Sequence, residues 1–236
     1  KKYFTINNID FLKELIEDLI KAPLIAFDLE TTSINSLNTD IVGISFSIKE
    51  NEAFYIPILY PEKENSLFDS FSLETILTEL KPVFENPSLS FCGHNIKFDA
   101  LVLSQYNISI QNISFDSMIA EHLLYPEKNS YKLDYLCLDY LQYRMKPIED
   151  LIGTGAKQTT MDKVPLKDAS FYAAEDADIA LQIALKQQEN IPNEGLSTPF
   201  NEIEIKLLPV LIQMEKNGVY LDTNFLYIFS KEIEAQ

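Results

Sequence analysis

The sequence predicts an α/β protein in which a layered sheet carries helices on both faces. Three observations carry that expectation. LIAFDLE (24–30) is a short, nearly continuous apolar run and reads as a strand buried on both faces. DIVGISFSI (40–48) and AFYIPI (53–58) come next as strands, joined by the polar KEN turn, a connection short enough for an antiparallel meander. Beyond them, strand and helix patterns alternate.

Taken in order, Ile9–Ala22 has helical spacing, with Phe11, Leu12, Leu15, Ile16, Leu19 and Ile20 on one side and Pro23 as its stop. The three meander strands come next. Ser72–Phe84 is helical, SLSFCG (88–93) is a short strand, and IKFDALVLSQY (96–106) is a helix with Asn95 as its expected N-cap. Ile113–Phe115 is the fifth strand, with helices after it at 117–125 and 132–144. Residues 146–167 read as an ordered loop, and an alanine-rich helix spans about Asp168 to Gln188. IPNEGLSTP (191–199) punctuates the chain and marks a boundary between 1–192 and 193–236. The second part holds two helices and no strand, the first closed by Gly218 and the second starting after Asp222.

Composition fits a packed core. The chain has 236 residues, 46% of them hydrophobic, with 15 Phe, 12 Tyr and no Trp. No apolar run reaches the roughly 18–20 residues that span a bilayer, and the start lacks a signal-peptide stretch. Two cysteines, Cys92 and Cys137, are too few for a disulfide scaffold or zinc ribbon and suit a reducing cytoplasm; buried thiols are the expectation. Nineteen basic and 36 acidic residues leave a net charge of −17, with Arg144 the single arginine. Such a chain has no broad phosphate-gripping face. A site that reaches phosphates through metal cations stays open, and most of the acids read as solvated surface.

Three segments place carboxylates in patterned spacing. Asp28 and Glu30 stand two apart on a strand and so face one side, near its carboxyl end, where open α/β sheets bind ligands. Paired anions there either lie in solvent or share a cation, and oxygen ligands suit Mg²⁺ or Mn²⁺. Asn95 and Asp99 stand four apart, with Asp99 interrupting an apolar helix face; it takes a partner or metal, or simply favours the helix dipole. Tyr172 and Asp176 share a face of the alanine-rich helix, with Asp178 turned largely away and Glu175 on what reads as a solvated acidic stripe. Ala173, Ala174, Ala177 and Ala180 let that helix approach the sheet closely.

In this order, D-x-E, N-x-x-x-D and Y-x-x-x-D resemble the DEDD superfamily of 3′–5′ exonucleases, in its tyrosine subtype. VGISFSI…AFYIPI, GHNIKFD, PIEDLIGTGAKQ (147–158), YAAEDADIALQ and LLPVLIQMEKNGVYLD (207–222) are similar to the proofreading domain of the bacterial DNA polymerase I family. The resemblance implies a ribonuclease H-like exonuclease fold with a central mixed five-stranded sheet. It implies an exonuclease domain over 1–192 and the first two helices of a truncated polymerase domain over 193–236. It also implies two-metal hydrolysis of DNA 3′ ends, single-stranded or frayed, to nucleoside 5′-monophosphates. The setting it implies is a monomer in the bacterial cytoplasm, at the nucleoid, with the rest of a polymerase chain as partner and no membrane.

The resemblance assigns Asp28, Glu30, Asp99 and Asp176 to two divalent cations, Mg²⁺ or Mn²⁺, and Tyr172 to orienting the attacking water. Asn95 matches the asparagine beside the 3′-terminal nucleotide, and Thr31 belongs with the DNA contacts. Ile34 matches an apolar wedge against the terminal base, and Ile148 stands where an aromatic is common. Phe98 replaces a frequent tyrosine, GTGAK (153–157) is poorer in lysine than the family's loop, and a basic residue expected near Ser130 is missing, with Lys128 and Lys132 close by. His94 and His122 read as structural. The competing expectations are a ribonuclease D-like enzyme acting on RNA, a non-catalytic scaffold with the same fold, and a generic acidic interaction domain.

Overall fold

The computed structural model describes residues 1–61, 71–155 and 158–235. Its strands are β1 (Lys2–Thr5), β2 (Ile25–Thr31), β3 (Ile41–Lys49), β4 (Glu52–Pro57), β5 (Phe91–Gly93) and β6 (Ile113–Asp116). Its helices are α1 (Ile9–Lys21), α2 (Leu73–Phe84), α3 (Ile96–Gln105), α4 (Ser117–Leu124), α5 (Leu133–Leu141), α6 (Glu149–Ile152), α7 (Leu166–Asn193), α8 (Ser197–Pro199), α9 (Ile205–Asn217) and α10 (Thr223–Glu234). The strands form one six-stranded sheet in the order β1-β4-β3-β2-β5-β6. β2, β3 and β4 make the antiparallel meander, and β5 and β6 extend it in parallel.

The sixth strand corrects the five-stranded expectation. KYFT is four residues long and lies at the sheet edge, parallel to β4, with only Tyr3 half-buried. So short a segment shows almost no periodicity, and tertiary contacts rather than pattern make it a strand. The helix expected from Asp168 to Gln188 is also longer, running 28 residues from Leu166 to Asn193 and containing Pro192.

One face of the sheet packs on α1, α2 and α3. Leu12, Leu15 and Leu19 of α1 and Ile76, Leu80 and Phe84 of α2 meet Phe27, Phe46 and Phe91 of the strands. Phe27 sits 5.2 Å from Phe84 and 5.9 Å from Phe91, both edge-to-face. Each such pair adds about 0.5–1.5 kcal/mol beyond the area it buries.

The other face belongs to α7, which crosses β2, β3 and β4, with α4 and α5 beside it. Ala169, Ala173, Ala174, Ala177, Ala180 and Ala184 are buried along it. Without bulk beyond Cβ, these residues bring the helix close to the sheet. Past the punctuating segment, Phe200 packs 4.8 Å from Phe115, and Leu208 of α9 joins the main core. α10 carries no buried residue. Gly218 ends α9 at φ 65°, a left-handed position that glycine takes without strain.

The acids on α7 depart from the expected solvated stripe. Glu175 and Asp178 are fully buried. Asp178 accepts from the Tyr3 hydroxyl at 2.7 Å, the Asn51 N–H at 2.7 Å and the Gln182 amide at 2.8 Å. Glu175 accepts from Lys1 at 2.9 Å, the Tyr143 hydroxyl at 2.6 Å and the Lys146 N–H at 3.2 Å. The two carboxylates therefore tie the edge strand, the β3–β4 turn and the segment after α5 to the helix. Asp178 does turn away from the Tyr172 face, but into the protein rather than into water. Asp178→Ala leaves three part-buried donors without their acceptor, each costing up to about 1–3 kcal/mol where water does not replace it. Its urea-unfolding free energy should fall by about 2–5 kcal/mol; an unchanged midpoint contradicts the role given to Asp178.

Candidate active site

β2 sets the first two acids. Its alternation sends Phe27 and Leu29 into the helix-packed core and Asp28 and Glu30 to the α7 side. Asp28 pairs with Ser45 and Glu30 with Gly43 across β3, and the register shifts immediately after Glu30. The regular ladder is interrupted at this point, at the end of the strand.

α7 brings the partner acid. Carboxylate oxygens of Asp28, Glu30 and Asp176 lie within 4.8 Å of one another. Tyr172, one turn before Asp176, packs among Val42, Met161, Val164 and α6. Asp176 Oδ1 is buried with no hydrogen-bond partner. Asp99 is 3% exposed and accepts from the Leu29 N–H at 3.1 Å, which ties α3 to β2. It lies outside the three-acid cluster and beside Asp28 in an adjoining cleft of about 300 Å³. His94, Asn95, Phe98, Met118, Lys132 and Leu133 complete that cleft.

Asn95 precedes α3 but does not cap it. Its backbone is left-handed at φ 61° and its side chain makes no capping bond. Asn tolerates that conformation better than most residues. The capping falls to Asp116, a fully buried acid that accepts from the Ile96 N–H at 2.8 Å while capping its own helix α4 through Met118 and Ile119. Asn95, relieved of capping, lines the cleft. Asp116 was invisible as a site residue because it comes from a different strand; only the fold shows which turn it serves.

The other expected DNA contacts divide. Phe98 lines the cleft with Asn95. Thr31, at the end of β2, donates to the Ser33 carbonyl at 2.9 Å. Ile34 is 97% exposed on the next loop, and Ile148, 36% exposed, starts α6. Neither isoleucine is among the cleft-lining residues. In the GTGAK loop, Ala156 and Lys157 lie outside the described residues. Of the two nearby lysines, Lys128 is paired with Glu121 and Asp139, whereas Lys132 lines the cleft and has no ion pair among the described residues. His94 also lines the cleft. Its Nδ1 lies 2.9 Å from Ser117 Oγ, its Nε2 is buried without a partner, and burial lowers its pKa to about 4. Cys92 and Cys137 are buried free thiols.

Burial and mutual repulsion raise the acids. Burial alone carries Asp28 up to about 6. Burial, then the charges of Asp28 and Asp99, push Glu30 well above its ordinary value. Burial and then Asp28 and Glu30 do the same for Asp176, and burial and then Asp28 for Asp99. Tyr172 is pushed up by burial and by Asp176, Glu30 and Asp28, so it keeps its proton. A set of hard oxygen donors, crowded and starved of counter-charge, with one carboxylate oxygen unpartnered, fits a divalent cation.

The comparisons agree with this geometry. A family model described as 3′–5′ exonuclease matches residues 3–192. DNA polymerase I of Pseudomonas aeruginosa is 37% identical over 223 residues, which are 92% of this chain and 24% of that protein. DNA polymerase I of Borreliella burgdorferi is 33% identical over 226 residues, 95% of this chain and 24% of its own length. Among solved structures, RNase D of Escherichia coli superposes with a TM-score of 0.69 at 20% identity, over 91% of this chain and 51% of that one.

This chain belongs to the 3′–5′ exonuclease family, in the form found as a domain of DNA polymerase I, and is a nuclease. The fold is the ribonuclease H-like exonuclease fold. The chain spans about a quarter of the length of the curated relatives it matches, 24% in both cases.

The raised carboxyl groups set a pH dependence in chelator. Where folding raises a pKa, the folded chain holds more protons than the unfolded one between the two values. Stability is then lost as pH rises through that window. For Asp28 the window runs from 3.8 to about 6. Lowering the pH from about 7.5 to about 5.5 should therefore stabilise the metal-free chain by about 1 kcal/mol through Asp28 alone, or about 2–4 °C in melting temperature. Asp28→Asn should lose that increment. Identical pH profiles for the two proteins in chelator would contradict the strained site.

Proposed function

We propose that the chain is the proofreading exonuclease of a bacterial DNA polymerase I. It removes nucleoside 5′-monophosphates from single-stranded or frayed DNA 3′ ends, with two divalent cations, Mg²⁺ or Mn²⁺. The observation that carries this is the convergence of Asp28, Glu30 and Asp176 within 4.8 Å, beside Tyr172 and Asp99. Asp28, Glu30 and Asp176 hold one cation. Asp28 and Asp99 would serve the other. When bound, such cations neutralise the phosphodiester, lower the pKa of the attacking water and stabilise the leaving 3′-oxygen.

The chain's own groups then supply position. Tyr172 keeps its proton and orients the attacking water in line with the phosphorus. Asn95 bonds the 3′-terminal nucleotide, Phe98 stacks or packs against it, and Thr31, Ile34 and Ile148 hold the strand. This reads backbone and stacking rather than base edges, and a mismatched end frays into it more readily. Lys132 supplies positive charge to the cleft, where Ser130 cannot.

The exposed apolar residues of the last helices, among them Val210, Met214, Phe225 and Phe229, suit packing against the remainder of a polymerase chain. On this reading 1–192 is the exonuclease domain, 193–236 begins the polymerase domain, and the monomer works in the bacterial cytoplasm at the nucleoid. Among the described residues no helix is long and apolar enough to cross a membrane.

A 5′-labelled single-stranded DNA incubated with Mg²⁺ or Mn²⁺ should shorten from its 3′ end, and chelator or Asp28→Ala should abolish this. Undiminished shortening by Asp28→Ala, or a matched RNA degraded in preference to DNA, overturns the assignment. Lys132→Ala should raise KM for the oligonucleotide about fivefold, the equivalent of about 1 kcal/mol, with kcat nearly unchanged. An unchanged KM removes Lys132 from the DNA-binding surface.

A further inference from the structure

Tyr55 is a second tyrosine near the acid cluster, contributed by the sheet rather than by α7. It lies on β4, directly paired with Ser45, which in turn pairs with Asp28. Its side chain is on the same face of the sheet as Asp28 and Glu30, packed under Ala173 and Ala174 of α7. It is 1% exposed. The ring runs diagonally over Gly43, and a Cβ at position 43 would overlap the Tyr55 hydroxyl. Gly43 is the residue paired with Glu30.

This fixes where the hydroxyl sits. Directly opposed residues of an antiparallel pair carry their Cβ atoms about 4.5–5.5 Å apart. The Tyr55 oxygen and the ring edge behind it fill the space beside the missing Gly43 Cβ, which puts the hydroxyl over the Glu30–Gly43 pair. The electrostatics agree: after burial, Glu30 and then Asp28 are the groups that act on this phenol.

The hydroxyl is also unsatisfied. The Tyr3, Tyr140 and Tyr143 hydroxyls each donate to a buried carboxylate, at 2.7, 2.7 and 2.6 Å. The Tyr55 hydroxyl has no hydrogen-bond partner among the described residues. It stands on the Glu30 side of the sheet, over the residue paired with Glu30, and the Glu30 carboxylate is an acceptor of the same kind.

We propose that Tyr55 is a positioning residue, its hydroxyl donating to the Glu30 carboxylate so that Glu30 presents its other oxygen to the cation. Gly43 is the accommodation that lets the ring reach across. Hydrogen bonds to a metal-ligating group typically change metal affinity or activity about 10- to 100-fold. The role rests on the nuclease reading of the cluster.

The test is Tyr55→Phe, which removes one oxygen and leaves the packed ring. In chelator its melting temperature should stay within about 4 °C of wild type. Its Mn²⁺ dissociation constant by calorimetry should rise about tenfold. At low Mn²⁺ its kcat should fall while KM for the oligonucleotide holds, and excess Mn²⁺ should restore kcat. Gly43→Ala, if folded, should weaken Mn²⁺ in the same direction. A wild-type chain that binds Mn²⁺ and trims 3′ ends, beside a Tyr55→Phe chain with the same Mn²⁺ affinity and kcat, overturns the Tyr55 role alone. A wild-type chain that binds no Mn²⁺ overturns the reading beneath it.

Discussion

The structure turns on how closely α7 lies against β2, β3 and β4. Its buried alanines set that separation, and the separation puts Asp176 among the carboxylate oxygens of Asp28 and Glu30. Bulkier residues on this stripe would lift the helix and open the acid cluster. The close approach also removes water from the acids, which is why burial leads the causes that raise all four of them. Packing and electrostatics are thus one constraint: what stabilises the layer crowds these carboxylates away from water.

Such crowding needs the helix held in rotation and register, and two further acids provide this. Glu175 and Asp178 flank Asp176 in sequence and point away from it into full hydrogen-bond sets. Satisfied carboxylates beside a strained one mark a division of labour along a single turn. Asp116 does the same for α3, freeing Asn95 and seating the backbone that leads to Asp99. The crowded acids gather around Asp28, Glu30 and Asp176, while the buried acids Asp116, Glu121, Glu175 and Asp178 have donors.

Much of this was legible in the sequence. The meander, the alternation after it, and the shared face of Asp28 and Glu30 come from period-2 patterns. The Tyr172–Asp176 face comes from helical spacing and the alanines around it. The features that were not legible depend on partners far apart in the chain. Strand β1 is too short to show a period and is defined by β4 and Asp178. Glu175 and Asp178 looked solvated because an acid carries no local sign of a donor that arrives from Lys1, Tyr3 or Tyr143. Asn95 looked like a cap because its residue type and place are those of one, yet its backbone is left-handed. Lys132 could be noted as near the site, but its lack of an ion pair among the described residues, against the pairing of Lys128, needed the fold.

The central claim is that the acids under α7 form a cation site. The most direct measurement is anomalous scattering from crystals of this chain soaked in Mn²⁺. The account requires a peak bounded by the carboxylates of Asp28, Glu30 and Asp176, lost in Asp28→Ala crystals. No peak there at a concentration that supports nuclease activity, or a peak elsewhere that persists in Asp28→Ala, would contradict it.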